Sequence, residues 1–71
     1  MTVEEALAVN LKQLLQEKHM THRKLCKDAD VATSTLACIL YKGGGTTIYT
    51  AYKFAKVLGV SVNDLIEGAD E

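Results

Sequence analysis

The chain is 71 residues long, 48% hydrophobic and 24% charged, with a net charge of −1. That length allows one domain whose core hides only about 60% of the surface an unfolded chain exposes, and the hydrophobic content argues against a disordered segment. No apolar run approaches the ~20 residues of a membrane span, and two cysteines behind an acidic N-terminus without a leader pattern point to a cytoplasmic protein with free thiols.

With no proline and no sustained alternation of apolar and polar residues, helix is the expected state along the chain. Thr2 and Glu5 form a capping box, and Val3, Leu7, Leu11 and Leu14 follow on one face, which predicts a first helix over about residues 3–18. Thr21 is a good N-cap for a second helix reaching about Asp28. A break at "ADV" separates it from a third helix, "ATSTLACIL", which runs up to about Tyr41. "KGGGTT" reads as a loop, since three successive glycines disfavour helix. A fourth helix is expected from about Thr47 to Leu58, with Ile48, Ala51 or Tyr52, Ala55 and Leu58 inward and Gly59 closing it. Ser61 and Asp64 cap a fifth, with Val60 and Leu65 as its hydrophobic staple and Gly68 ending it before an acidic tail, 68–71.

Charge is unevenly placed. Glu4 and Glu5 make the first ten residues −2; Lys12, Lys18, Arg23, Lys24 and Lys27 against Glu17 make residues 11–27 +4; Asp64, Glu67, Asp70 and Glu71 make residues 61–71 −4. Such runs are often no more than solvated faces. The densest cluster, His22, Arg23, Lys24 and Lys27, nevertheless opens the second helix, where the partial positive charge of a helix N-terminus prefers acids and each cation costs a few tenths of a kcal/mol, up to ~1.

Helices two and three are joined by so few residues that they cannot lie antiparallel; a turn this short forces a steep crossing, the helix-turn-helix geometry, over about residues 21–41. Leu25, Ala29, Val31, Leu36 and Ile39 then point to where the two helices meet the core, and Cys26 occupies the point of closest approach. On these residues the chain resembles the Xre-type family of phage Cro and repressor DNA-binding domains, over about residues 8–67. "MTHRKLCKDADVATSTLACIL" stands where the family has a Leu-Ser-Gln-x-x-Leu-Ala-x-x-x-Gly-Val-Ser-x-x-Thr-Ile-like run. "KFAKVLGVSVNDLIEG" is similar to the family's closing helices, and "AKVLGVSVNDL" is the most specific part.

The resemblance implies an all-α, five-helix Cro/repressor-like domain filling residues 1–71, and a sequence-preferring regulator of transcription that binds double-stranded DNA. The third helix would enter the major groove and the N-terminus of the second would touch phosphate. Backbone N–H groups and nearby cations at a helix start form an anion site, so a phosphate would relieve the repulsion at His22, Arg23, Lys24 and Lys27. Lys42 and the loop residues Thr46 and Thr47 offer a second phosphate contact. The residues of the third helix left off the core, Thr33, Ser34, Ala37, Cys38 and Tyr41, form the base-reading face, with Tyr41 nearest the backbone. None of them is an Arg, Gln or Asn able to make a bidentate base pair contact worth ~1–3 kcal/mol. Three positions depart from the family: Asp30 replaces a turn glycine, Ala32 replaces a Ser or Thr N-cap, and His22 replaces a common glutamine.

Other chemistries have less support. His19, His22, Cys26 and Cys38 give H-x2-H-x3-C-x11-C, which matches no standard zinc module, so no metal and no cofactor is expected. There is no phosphate-loop signature and no paired carboxylate in an apolar run, so no catalytic residues and no enzyme are expected. The rival reading is a protein-interaction module, antitoxin-like or adaptor, that keeps the fold. Val62, Leu65 and Ile66 give the fifth helix more apolar area than a surface helix needs and form the candidate seam of a homodimer or partner site.

Overall fold

A computed structural model of the chain describes residues 2–43 and 46–70. Gly44 and Gly45 of the glycine-rich loop and Glu71 of the acidic tail, together with Met1, lie outside the described residues. The helices are α1 (Val3–Glu17), α2 (His22–Ala29), α3 (Thr33–Tyr41), α4 (Ile48–Leu58) and α5 (Val62–Leu65).

Local chemistry sets both ends of most helices. Thr2 and Glu5 make the expected capping box, with the Thr2 N–H donating to Glu5 Oε1 at 2.9 Å and the Glu5 N–H to Thr2 Oγ1 at 3.1 Å; the Thr2 N–H, with the Thr2 hydroxyl beside it, holds the Glu5 carboxyl below its ordinary pKa. Thr21, Thr47 and Ser61 cap α2, α4 and α5 in the same way. At the other ends, α1, α2 and α4 close on left-handed residues: His19 (φ 52°), Asp30 (φ 57°) and Gly59 (φ 74°). In each case the next N–H, of Met20, Val31 or Val60, bonds back five residues to Leu15, Cys26 or Ala55, and each of these three apolar residues packs against the core. This is the Schellman arrangement, in which an apolar residue follows the left-handed one. Asp30 thus takes the place of the family's glycine, since Asp tolerates this conformation better than most residues.

The core forms where α1 packs on α3 and α5 and where α2 packs on α3 and α4. Leu7, Leu11 and Leu15 meet Leu25, Cys26, Leu36, Ile39 and Leu40 around Phe54, which is fully buried. Truncating such a phenylalanine to alanine costs about 3–5 kcal/mol.

Three expectations need correction. Ile48 is 76% exposed, because the buried stripe of α4 runs through Ala51, Phe54, Ala55 and Leu58; of the alternatives Ala51 and Tyr52 it is Ala51 that faces inward, and at 100° per residue Ile48 and Tyr52 both lie beyond the stripe's edge. α5 is a single turn that ends at Leu65, ahead of Gly68. Its end is set by Asn10 of α1, whose Nδ2 donates to both the Leu65 and Glu67 carbonyls at 2.9 Å. Leu65 itself is fully buried: as the fourth residue after the Ser61 cap it turns into the domain and presents nothing to a dimer seam.

Candidate nucleic-acid interface

Thr21 starts α2, and His22, Arg23 and Lys24 then follow, all exposed, with no acid in the first turn to offset their repulsion from the helix end. Helical spacing divides the cations. Arg23 and Lys27, four apart, share one edge of α2, while Lys24 and Asp28 share the next. Lys24 is engaged there, its Nζ 3.0 Å from Asp28 Oδ2. A pair this exposed contributes at most ~1 kcal/mol, little enough for a phosphate to displace. Lys27 stands in the last turn of α2, where the helix field favours a cation with or without a ligand.

α3 turns Leu36, Ile39 and Leu40 inward and leaves Thr33, Ser34, Ala37, Cys38 and Tyr41 exposed. Tyr41 joins this face to the start of α2. Its ring centroid is 6.1 Å from that of His22, with the planes tilted by 46°. Lys12 of α1 reaches the same ring, its Nζ 5.0 Å from the centroid. Lys12 was not among the residues singled out from the sequence; the one signal for it was membership of the basic block 11–27. His22, Tyr41 and Lys12 therefore come together from three helices. Lys42 is exposed just past Tyr41, as the C-cap of α3.

Thr46 and Thr47 lie in a different setting. They line an apolar groove of about 140 Å³ with Val3, Leu7, Ile48 and Ala51, and Glu4 is at its edge. The Thr47 hydroxyl is occupied in capping α4: it accepts from the Thr50 N–H and donates to Thr50 Oγ1 at 3.1 Å. Val62 and Ile66 of the expected seam are half-buried on the same groove.

The two cysteines differ. Cys26 is buried between α2 and α3, its sulfur 3.8 Å from the Ala32 carbonyl to which it donates, and burial pushes its thiol pKa up. Cys38 is free and exposed on the outer face of α3. Among the described residues no three His, Cys, Asp or Glu side chains gather as metal ligands, and no helix is long and apolar enough to cross a membrane. Cations, hydroxyls and the N-terminus of α2 exposed side by side suit a polyanion.

Comparison with known proteins bears on this surface. The family model for the Cro/C1-type HTH DNA-binding domain matches residues 10–71. Among solved structures, a chain of the SinR protein/SinI protein complex is similar at 30% identity and a TM-score of 0.81, over 87% of this chain. The present chain spans 61% of the length of that one. No curated protein matches it.

Proposed function

The chain belongs to the Cro/C1-type helix-turn-helix DNA-binding domain family, and from that premise we propose that it is a transcriptional regulator reading double-stranded DNA with α3 in the major groove and the start of α2 on phosphate. The observation that carries this reading is the approach of His22 to Tyr41. It makes the cationic N-terminus of α2 and the outer face of α3 one continuous surface, which is what simultaneous phosphate and base contact requires. A phosphate at the N-terminus of α2 would meet free N–H groups, His22 and Arg23, and would compete with Asp28 for Lys24. Thr33, Ser34 and Ala37 would meet base edges, the hydroxyls accepting or donating and the methyls packing on thymine. Each half-site then supplies little discrimination, so the proposal includes a homodimer on a palindromic site, with Val62 and Ile66 in the seam, acting in the cytoplasm.

The test is duplex binding followed by fluorescence anisotropy across salt concentration. Log affinity should fall with log salt, with a slope near −0.9 per phosphate neutralised. Arg23→Glu should weaken binding to every duplex alike, whereas Thr33 or Ser34 variants should change the preferred sequence. Binding that ignores salt from about 50 to 200 mM would refute phosphate neutralisation as the mechanism.

A protein partner is the second reading. It draws on the solved chain similar to this one, which is in a complex of two proteins, and on Ile48, Tyr49 and Tyr52, which stand exposed on α4. On that reading, Ile48→Glu or Ile66→Glu, which puts a charge on the apolar face, removes a partner while Arg23→Glu leaves it bound.

A further inference from the structure

We propose that the groove between α1 and the start of α2 holds one more backbone phosphate of the duplex, with Lys12 as the contacting cation and Tyr41 as the residue that positions it. The inference rests on the DNA-binding reading above and extends its footprint to a third helix.

The groove is an open hollow of about 420 Å³ lined by Lys12, Gln16, His19, Thr21 and His22 over a floor of Leu15 and Met20. Lys12 and two histidines are among those side chains, and none is acidic. They arrive from α1, from the α1–α2 turn and from α2. The left-handed backbone of His19 turns the chain sharply enough to bring the start of α2 back beside α1.

Lys12 has no carboxylate within reach on its own helix. The positions three and four away are Val9, Leu15, Ala8 and Gln16, so the intrahelical ion pairs that commonly hold a surface lysine are absent. The ammonium lies instead over the Tyr41 ring. Cation–π attraction there directs it towards the end of α3 while keeping its N–H groups in water. Tyr41 is 65% exposed, so the pair sits at the rim of the proposed reading face. Lys24 of α2 provides the contrast: it is already held by an acid, Asp28. Lys12 is the better-placed cation for an incoming phosphate, because nothing must be displaced.

The experiment measures anisotropy of a labelled random-sequence duplex of about 20 base pairs over a salt series, with wild type, Lys12→Gln, Tyr41→Leu, the double variant and Arg23→Gln. Losing one phosphate contact should flatten the salt slope by about 0.9, which is about eightfold weaker binding near 0.1 M salt. Lys12→Gln should show that loss on the random-sequence duplex, as a backbone contact requires. Tyr41→Leu should weaken binding by itself but add less in the Lys12→Gln background. Both side chains are exposed, and a circular dichroism melt confirms that the variants fold. A wild-type slope unchanged by Lys12→Gln, but flattened by Arg23→Gln, overturns the Lys12 contact and leaves the DNA reading intact. Strictly additive losses overturn the positioning role of Tyr41. A wild type with no salt slope removes both the inference and the reading beneath it.

Discussion

Changing Ala32 to serine should stabilise the domain by about 1 kcal/mol. α3 is the one described helix without a side-chain cap, since Ala32 at its N-cap has nothing to offer. The other four begin with Thr2, Thr21, Thr47 or Ser61, each accepting the N–H three residues on. The backbone at Ala32 already has the shape of a capped start, its φ of −66° and ψ of 142° comparing with −86° and 163° at Ser61 and −78° and 157° at Thr47. The target N–H, that of Thr35, bonds the Ala32 carbonyl at 3.1 Å. That does not exclude a second acceptor, because the Asp64 N–H bonds the Ser61 carbonyl at 3.1 Å and the Ser61 hydroxyl at 3.2 Å together. Ala32 is exposed, so a hydroxyl meets no crowding and incurs no burial cost. Replacing a capping Ser or Thr by Ala costs ~0.5–2 kcal/mol, and sharing the N–H places the gain near the middle of that range. For a domain of this size ~1 kcal/mol raises the melting temperature by about 4–8 °C. Thermal denaturation followed by circular dichroism measures it, with Thr21→Ala as the opposite change. An unchanged or lower melting point for Ala32→Ser would show that the start of α3 is already satisfied and that the cap argument is wrong.

Two further outcomes follow from single side chains. Asn10→Ala strips the Leu65 and Glu67 carbonyls of their donor, and at ~0.5–1.5 kcal/mol for each bond it should destabilise the fold by about 1–3 kcal/mol in urea denaturation; a loss under ~0.5 kcal/mol would mean the end of α5 is held by other contacts. A thiol reagent added to the folded protein should label Cys38 rapidly and Cys26 only on opening, because Cys26 is buried with a raised pKa; alkylated Cys38 that leaves DNA affinity intact would take that residue out of the reading face.

The fold was legible where caps and periodicity agree. Thr2 with Glu5, Thr21, Gly59, and Ser61 with Asp64 each mark a boundary that a local hydrogen bond fixes. Leu25, Cys26, Ala29, Leu36 and Ile39 are buried as the helix-turn-helix spacing demands. What escaped were features decided by distant parts of the chain. Asn10 shortens α5 from 55 residues away. His19 adopts a conformation that nothing in its residue type announces, because the bond from the Met20 N–H to Leu15 and the packing of Met20 hold it there. Phe54, rather than Ile48 or Tyr52, carries the buried stripe of α4. The proposed site was legible as a list of exposed residues on α2 and α3, but its third member, Lys12, is joined to it only by the tertiary approach of α1 to the end of α3.

A net charge of −1 is a poor guide to how this molecule meets a polyanion, because α1 separates its charges. At 100° per residue, Lys12 and Gln16 lie on a different side of α1 from Asn10, Gln13 and Glu17. On the first side is the acid-free groove with His19 and His22. On the other, Glu17, Asp64 and Glu67 line a hollow of about 250 Å³ that has no cation among its walls. One groove thus has a lysine and no acid among its walls, and the other has three acids and no lysine or arginine, on two sides of a single helix. Towards DNA, the acidic side adds repulsion wherever it faces the duplex, and the cationic side adds attraction only where α2 and α3 do. In the proposed docking, electrostatic approach would favour the same orientation as specific contact, with Asp64 of α5 and Glu67 just past its end disfavouring orientations that turn them to the duplex. On the proposed docking, Asp64→Asn or Glu67→Gln should raise affinity for a random-sequence duplex in the same anisotropy assay, and an affinity left unchanged would remove these acids from the electrostatic argument.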